Sequence, residues 1–249
     1  MTELVVNLHM HTRYSDGTGR HADIADHALK SGLDVVIVTD HNVWTQGFEG
    51  YYRQGPRRLL MLVGEEVHDQ SRNPQKNHLL VFGAEGEMAT YAKEPQRLID
   101  RVIQRGGLAF IAHPTDPALP LFKQDDISWV DWQVDSYTGI ELWNHFSELK
   151  SVIHSRIGAI FYAFFPQHIS HNPEPETLSH WDHLLASGKR VVAIGGSDAH
   201  MLHKKMGPLS RTLYPYSFHF RCINTHIITP NPLSGDLTAD RRMIYQALQ

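Results

Sequence analysis

Two histidines one residue apart, His9 and His11, close the apolar run Leu4–Leu8 near the N-terminus. Residues two apart on an extended chain face the same side, so the pair can present two imidazoles to one cation. Alone, a His-x-His at a strand end is more often incidental than a ligand pair. Its company changes that reading. Asp16 follows in Ser15-Asp16-Gly17, a turn able to return a carboxylate to the same place, although an ordinary Asx-turn would account for it in isolation. Thr39-Asp40-His41, Gly64-Glu65-Glu66, Ala112-His113-Pro114 and Ser197-Asp198-Ala199-His200 each close a further apolar run. Mixed imidazole and carboxylate donors suit Zn, Mn or Fe and do not suggest an all-oxygen Ca or Mg cage.

The elements that must position these groups are legible as strand runs at Leu4–Leu8, Val35–Thr39, Leu59–Gly64, Leu79–Phe82, Leu108–Ala112, Gly139–Trp143, Val191–Gly195 and Thr225–Thr229. Helical patterns fall at about 20–31, 94–105, 147–160, 176–187 and 238–248. Gly32, Gly106 and Gly188 follow three of them, where a C′ residue commonly takes positive φ. Strands alternating with helices indicate an α/β fold. In a closed α/β barrel the C-terminal ends of the strands share one rim, which gathers side chains from distant parts of the chain at one site.

The length of 249 residues and a 41% hydrophobic content predict one domain over residues 1–249. A net charge of -4 offers no basic field to nucleic acid or anionic membrane. The single cysteine, Cys222, excludes an intramolecular disulfide and a Cys-rich zinc cage. With no secretory leader pattern after Met1 and no run approaching the ~20 apolar residues of a membrane span, the expected location is cytoplasmic. The 18 histidines are an unusually large number for a chain of this length.

On its spaced motifs the chain resembles the PHP superfamily, named for polymerase and histidinol phosphatase domains. The motifs run in the family's order: His9-Met10-His11-Thr12 with Ser15-Asp16-Gly17, Thr39-Asp40-His41-Asn42, Gly64-Glu65-Glu66-Val67, His78-Leu79-Leu80, Ala112-His113-Pro114 and Ser197-Asp198-Ala199-His200. The resemblance spans about residues 4 to 200 and implies a distorted (β/α)7 barrel holding two or three divalent ions, Mn, Zn or Fe. Carried over position by position, the implied ligands are His9, His11, Asp16, His41, Glu66, His78, His113, Asp198 and His200. His9, His11, Glu66 and Asp198 would hold one ion, with Glu66 bridging to a second on His78 and His113. Asp16, His41 and His200 would hold a third. Amidohydrolase barrels also open with His-x-His, but they place a lysine on a middle strand and a single Asp on the last, a pattern this chain lacks.

Some assignments need further argument. Glu65 and Glu66 face opposite sides of a strand, and the motif register selects Glu66. His78 precedes its apolar run and would fall at the wrong rim of a parallel strand, which an antiparallel excursion resolves if the polar segment His68–Asn77 loops back. Arg13 and Lys204 are candidates for binding a substrate anion, although a solvated arginine and a short basic surface run would look the same. Glu141, Asn144 and His145 fall at the rim, where hydrogen bonding alone would account for them.

The implied function is a phosphoesterase acting on a small-molecule phosphate ester, with Asp198 or His200 managing the proton. Carbamate, ester or amide hydrolysis at the same metal site is the alternative, with Trp44, Tyr51, Tyr52 and Trp143 lining an apolar pocket. A metal-stabilised inactive scaffold is a third reading, which the intact ligand set opposes.

Overall fold

The computed structural model describes residues 1–169, 172–206 and 209–249, and the side chains at 204–206, 209 and 210 lie outside the described residues. The chain opens with β1 (Thr2–Asn7), α1 (His21–Ser31), β2 (Val35–Val38), β3 (Gly50–Gln54), β4 (Arg57–Val67) and β5 (Leu79–Phe82). It continues through α2 (Pro95–Gln104), β6 (Leu108–Ile111), β7 (Gly139–Asn144), α3 (His145–Val152), α4 (Arg156–Phe164), α5 (Pro175–Ala186) and β8 (Val192–Gly196). A hairpin of β9 (Leu202–Met206) and β10 (Leu209–Leu213), then α6 (Tyr216–His219), β11 (Thr225–Thr229) and α7 (Leu237–Ala247) complete it.

The main sheet has the order β11-β1-β2-β4-β5-β6-β7-β8. Its neighbours are parallel except around β11, which is antiparallel to β1, β5, which is antiparallel to both β4 and β6, and β3, which lies off this order and pairs antiparallel with β4. The helix-free segment 68–78 is too short for a parallel crossover, so β5 must return beside β4, with Leu80 opposite Glu66. The two ends of the sheet meet through Thr225, whose hydroxyl accepts from Gly195 N and donates to Gly195 O, both at 2.9 Å. Beyond β11, the chain leaving β1 pairs with the chain leaving β8, where His11 N donates to Ala199 O at 2.9 Å. The result is a nearly closed, distorted α/β barrel.

Period-two alternation sorts the core. Leu4, Val6, Val35, Ile37, Leu60, Leu62, Leu80, Phe82, Leu108 and Phe110 fill the barrel, which Ile244 and Leu248 help to close from α7. The intervening residues Val36, Val38, Leu59 and Met61 pack outward against Ile24, Ala25, Ala28 and Leu29 of α1. Short strands buried on both faces explain the continuous apolar runs in the sequence. Gly32, Gly106 and Gly188 take positive φ at 85°, 74° and 81°, ending their helices as expected.

Other elements were not legible. The stretch 147–160 forms two helices instead of one, because Ser155 caps a new start by accepting from Gly158 N at 3.0 Å. Both β3 and the β9–β10 hairpin formed without a pattern that marked them. Among the described residues no helix is long and apolar enough to cross a membrane.

Candidate metal centre

The regular alternation of the first strand slips at Leu8–His9. Leu4, Val6 and Leu8 pack in the barrel while Met10 packs with the outer cluster, so His9 and His11 both turn over the barrel's open end. On β4 the parity is undisturbed: Leu60, Leu62, Gly64 and Glu66 share the inner face, and Glu65 points out to accept from Met88 N at 2.8 Å. His78 and Leu80 share the inner parity of β5. His113 and Asp198 reach the same place through left-handed backbone, φ 25° and 50°. Such conformations cost non-glycine residues roughly 1–3 kcal/mol and persist only where surrounding structure holds them.

The side chains of all nine sequence-selected residues converge. Glu66 Oε2 lies 2.9 Å from His9 Nε2, 3.1 Å from His11 Nε2 and 3.3 Å from His41 Nδ1. Glu66 Oε1 lies 2.6 Å from His78 Nδ1 and 2.9 Å from His113 Nε2. Asp198 Oδ1 is 3.0 Å from His11 Nε2 and 3.5 Å from His9 Nε2. Asp16 approaches His200 Nε2 at 3.2 Å and His41 Nε2 at 3.5 Å. The His11 ring lies between His41 and His200, at centroid distances of 4.4 and 4.3 Å.

These atoms face a common point more than they face each other. His11 Nε2 and His41 Nδ1 are buried and make no hydrogen bond, although carboxylate oxygens stand within 3.3 Å of both. A tetrahedral ion with bonds of about 2.0–2.1 Å needs donor–donor edges near 3.3–3.4 Å, and the His9, His11, Glu66 and Asp198 edges run from 2.9 to 3.5 Å. The chemistry and spacing of the donors therefore fit divalent cations. Three groups have ligand atoms close enough to share an ion: His9, His11, Glu66 and Asp198; Glu66, His78 and His113; and His11, Asp16, His41 and His200. A fourth comprises His41, His68 and His78.

Electrostatics express the same crowding. Burial alone would depress the histidines, yet Asp198 and Glu66 raise His11 to about 10 and Glu66 raises His113 to about 9. Burial would raise Glu66, but His41, His9 and His78 hold it well below the usual carboxylate range. His68 is pushed down to about 3 by burial and the neighbouring His78 and His41.

A second layer orients these groups. Glu141 Oε1 takes the Nδ1 proton of His9 at 2.9 Å, directing His9 Nε2 into the cluster. Glu141 Oε2 accepts from His113 N and Asn144 Nδ2, both at 2.9 Å. His200 Nδ1 donates to Asp198 O at 2.8 Å, which leaves Nε2 as the basic nitrogen facing Asp16. Asp40 accepts from Thr12 N, Thr12 Oγ1 and Ser15 Oγ at 2.7 Å each, fixing the turn that presents Asp16. The sequence had placed Glu141 and Asn144 at the functional rim without assigning them a role, and it gave no sign of His68.

A cavity of about 520 Å³ opens above the cluster. Arg72, from the loop before β5, and Lys150, from α3, line it. Lys150 is buried against Asp116, which also accepts from Ser147 Oγ at 2.5 Å. Sequence reasoning named neither cation. Arg13 is exposed and takes no part in lining this cavity, and the side chain of Lys204 lies outside the described residues. The expected aromatic lining is absent as well. Trp44 borders a separate cleft with Glu49 and Arg241, and Tyr51 bonds Asp240. Tyr52 donates to Phe48 O at 3.1 Å and Trp143 to Glu148 at 3.1 Å, because each polar tip found a partner away from the cluster.

A family model for the PHP domain matches residues 7–188. An uncharacterised protein of Methanocaldococcus jannaschii is 26% identical over 130 residues, 45% of this chain and 68% of the relative. The lesion-specific endonuclease PfuEndoQ from Pyrococcus furiosus superposes with a TM-score of 0.50 at 12% identity, covering 99% of this chain and 56% of that one. A two-domain protein from Bacteroides vulgatus, containing a predicted PHP-like metal-dependent phosphoesterase, gives 0.46 at 19% identity over 80% of this chain and 52% of that one. The chain thus spans about half the length of these two structures. At 12% identity the likeness to PfuEndoQ bears on fold alone.

Proposed function

Because the chain belongs to the PHP domain family, we propose that it is a metal-dependent phosphoesterase acting on a small phosphate ester. The observation that carries this reading is the cavity wall. Beside the ligand cluster it carries two cations, Arg72, which is 3.7 Å from Asp131, and Lys150, which is paired with Asp116, along with Asp125 and the apolar Phe146 and Ile127; the two cations are the wall's groups able to meet an anion held by bound ions. Its volume falls within the range usual for small-molecule sites.

In this reading His9, His11, Glu66 and Asp198 would hold one ion, Glu66 with His78 and His113 a second, and Asp16, His41 and His200 a third. Bound Mn, Zn or Fe would supply Lewis acidity and lower the pKa of a water towards about 7. The protein's part is orientation and proton handling. Glu141 fixes the His9 tautomer, and Lys150 and Arg72 draw the phosphate oxygens towards the cluster. Asp198 accepts the proton of the attacking water, because both ring nitrogens of His200 are engaged, Nδ1 donating to Asp198 O and Nε2 facing Asp16. As the water oxygen bonds to phosphorus, the ester P–O bond breaks and the leaving alkoxide takes up a proton, giving phosphate and an alcohol.

The test compares aryl phosphates with aryl carbamates and carboxylic esters, using protein reconstituted with Mn, Zn or Fe. Metal-dependent release of phosphate is expected. A clear preference for the carbonyl substrates would overturn the reading, and fewer than one ion per chain after reconstitution would point to an inactive scaffold.

A further inference from the structure

The cavity above the cluster has an apolar neighbour. Gln124, Phe146 and Lys150 line both it and a second depression of about 210 Å³, so the two are neighbours that share part of one wall. The second chamber is apolar, walled by Leu119, Leu149, Ile153, Ala159, Ala163 and Leu213 from the loop after β6, α3, α4 and the β9–β10 hairpin. Its floor is a small hydrophobic cluster separate from the barrel core. A dent over such a satellite cluster is ordinary, but this one borders the cavity above the ligand cluster. Phe146 stands at the junction with its ring 5.2 Å from that of His200. Lys150 pairs its ammonium with Asp116 on the polar side, while its residue also lines the apolar side. Gln124 also lines both cavities, and its buried Oε1 has no hydrogen-bond partner among the described residues.

We propose that the substrate is amphiphilic: its phosphoryl group lies at the cluster, and its leaving group carries an alkyl or aryl portion past Phe146 into the apolar chamber. This rests on the phosphoesterase reading and names the class of leaving group. Charge and polarity are complementary along the path, from the carboxylate–imidazole cluster and Lys150 to the aliphatic walls.

The experiment uses the full-length, metal-loaded protein with methyl, butyl and octyl phosphate, and measures binding of the matching alkylphosphonates by calorimetry. With about 0.8 kcal/mol per buried methylene, kcat/KM and phosphonate affinity should rise about two- to fourfold per carbon until the chamber is full. Ala159→Trp and Ala163→Trp fill the chamber and should flatten that dependence, leaving methyl phosphate within about twofold of its original rate. Hydrolysis of all three esters without chain-length dependence would overturn this inference and leave the phosphoesterase reading standing, as would a dependence that survives both substitutions. Failure to hydrolyse any of the esters would overturn both. If the tryptophan variants do not fold, the chain-length series on the unmodified protein still decides.

Discussion

Glu141→Gln changes one atom of a buried carboxylate and leaves its volume intact, so its effect isolates the orientation of His9. In the native site one carboxylate oxygen takes the His9 Nδ1 proton while the other accepts from His113 N and Asn144 Nδ2. The variant amide has a single acceptor oxygen. Two donors outcompete one, so the oxygen stays with His113 and Asn144 and the NH₂ faces His9. The imidazole must then accept at Nδ1 and carry its proton on Nε2, the nitrogen 2.9 Å from Glu66 and 3.5 Å from Asp198. A protonated Nε2 has no lone pair for a cation. The opposite amide orientation would instead oppose two buried donors, at about 1–3 kcal/mol for each group left unsatisfied. Loss of such an orienting partner typically weakens metal binding 10–100-fold, about 1.4–2.7 kcal/mol. Competition against a chromophoric chelator should show that loss, with the Tm of the metal-free protein as the folding control. An unchanged ion count at unchanged affinity would refute the reasoning.

Asp16→Ala should remove one ion per chain, because Asp16 faces His41 and His200 and takes no part in the His9, His11, Glu66 and Asp198 group. Elemental analysis showing loss of every ion would contradict the proposed partition. Gly196→Ala adds a Cβ that would overlap the Glu141 carboxylate and stand 2.8 Å from His9 Cβ. It should destabilise the protein by roughly 1–3 kcal/mol in denaturant titrations and weaken metal binding alongside. The pH behaviour of the metal-free protein follows from His11 and His113. Burial would lower both, but Asp198 and Glu66 lift His11 to about 10, and Glu66 lifts His113 to about 9. They bind protons more tightly folded than unfolded, so their contribution is complete below about 6.5 and is lost as pH rises through 9 to 10. The Tm of the chelated protein should fall between pH 7 and 10, and metal uptake at pH 7.5 should release protons, seen by calorimetry in buffers of different ionisation enthalpy. A rising Tm across that range would show the sign to be wrong.

Much of this molecule was legible from residue types and spacing. Runs such as Val35–Thr39 and Leu108–Ala112 mark buried strands because burial on both faces leaves no room for polar residues. A barrel brings such strand ends together, and the resemblance to the PHP family implied nine ligands distributed among those ends. The antiparallel turn before His78 followed from its position ahead of its strand. What sequence could not carry depends on groups that meet only through the fold. Nothing local tells Glu141 that His9 will lie beside it, since the two are 132 positions apart and joined only by barrel closure. Arg72 and Lys150 read as ordinary solvated charges until a loop and a helix place them on one wall, whereas Arg13, adjacent to the motif, is carried outward by the turn that holds Asp16. The left-handed backbone at His113 and Asp198 is likewise a product of context. No local preference favours it, and only the packed rim makes those conformations the lowest in free energy.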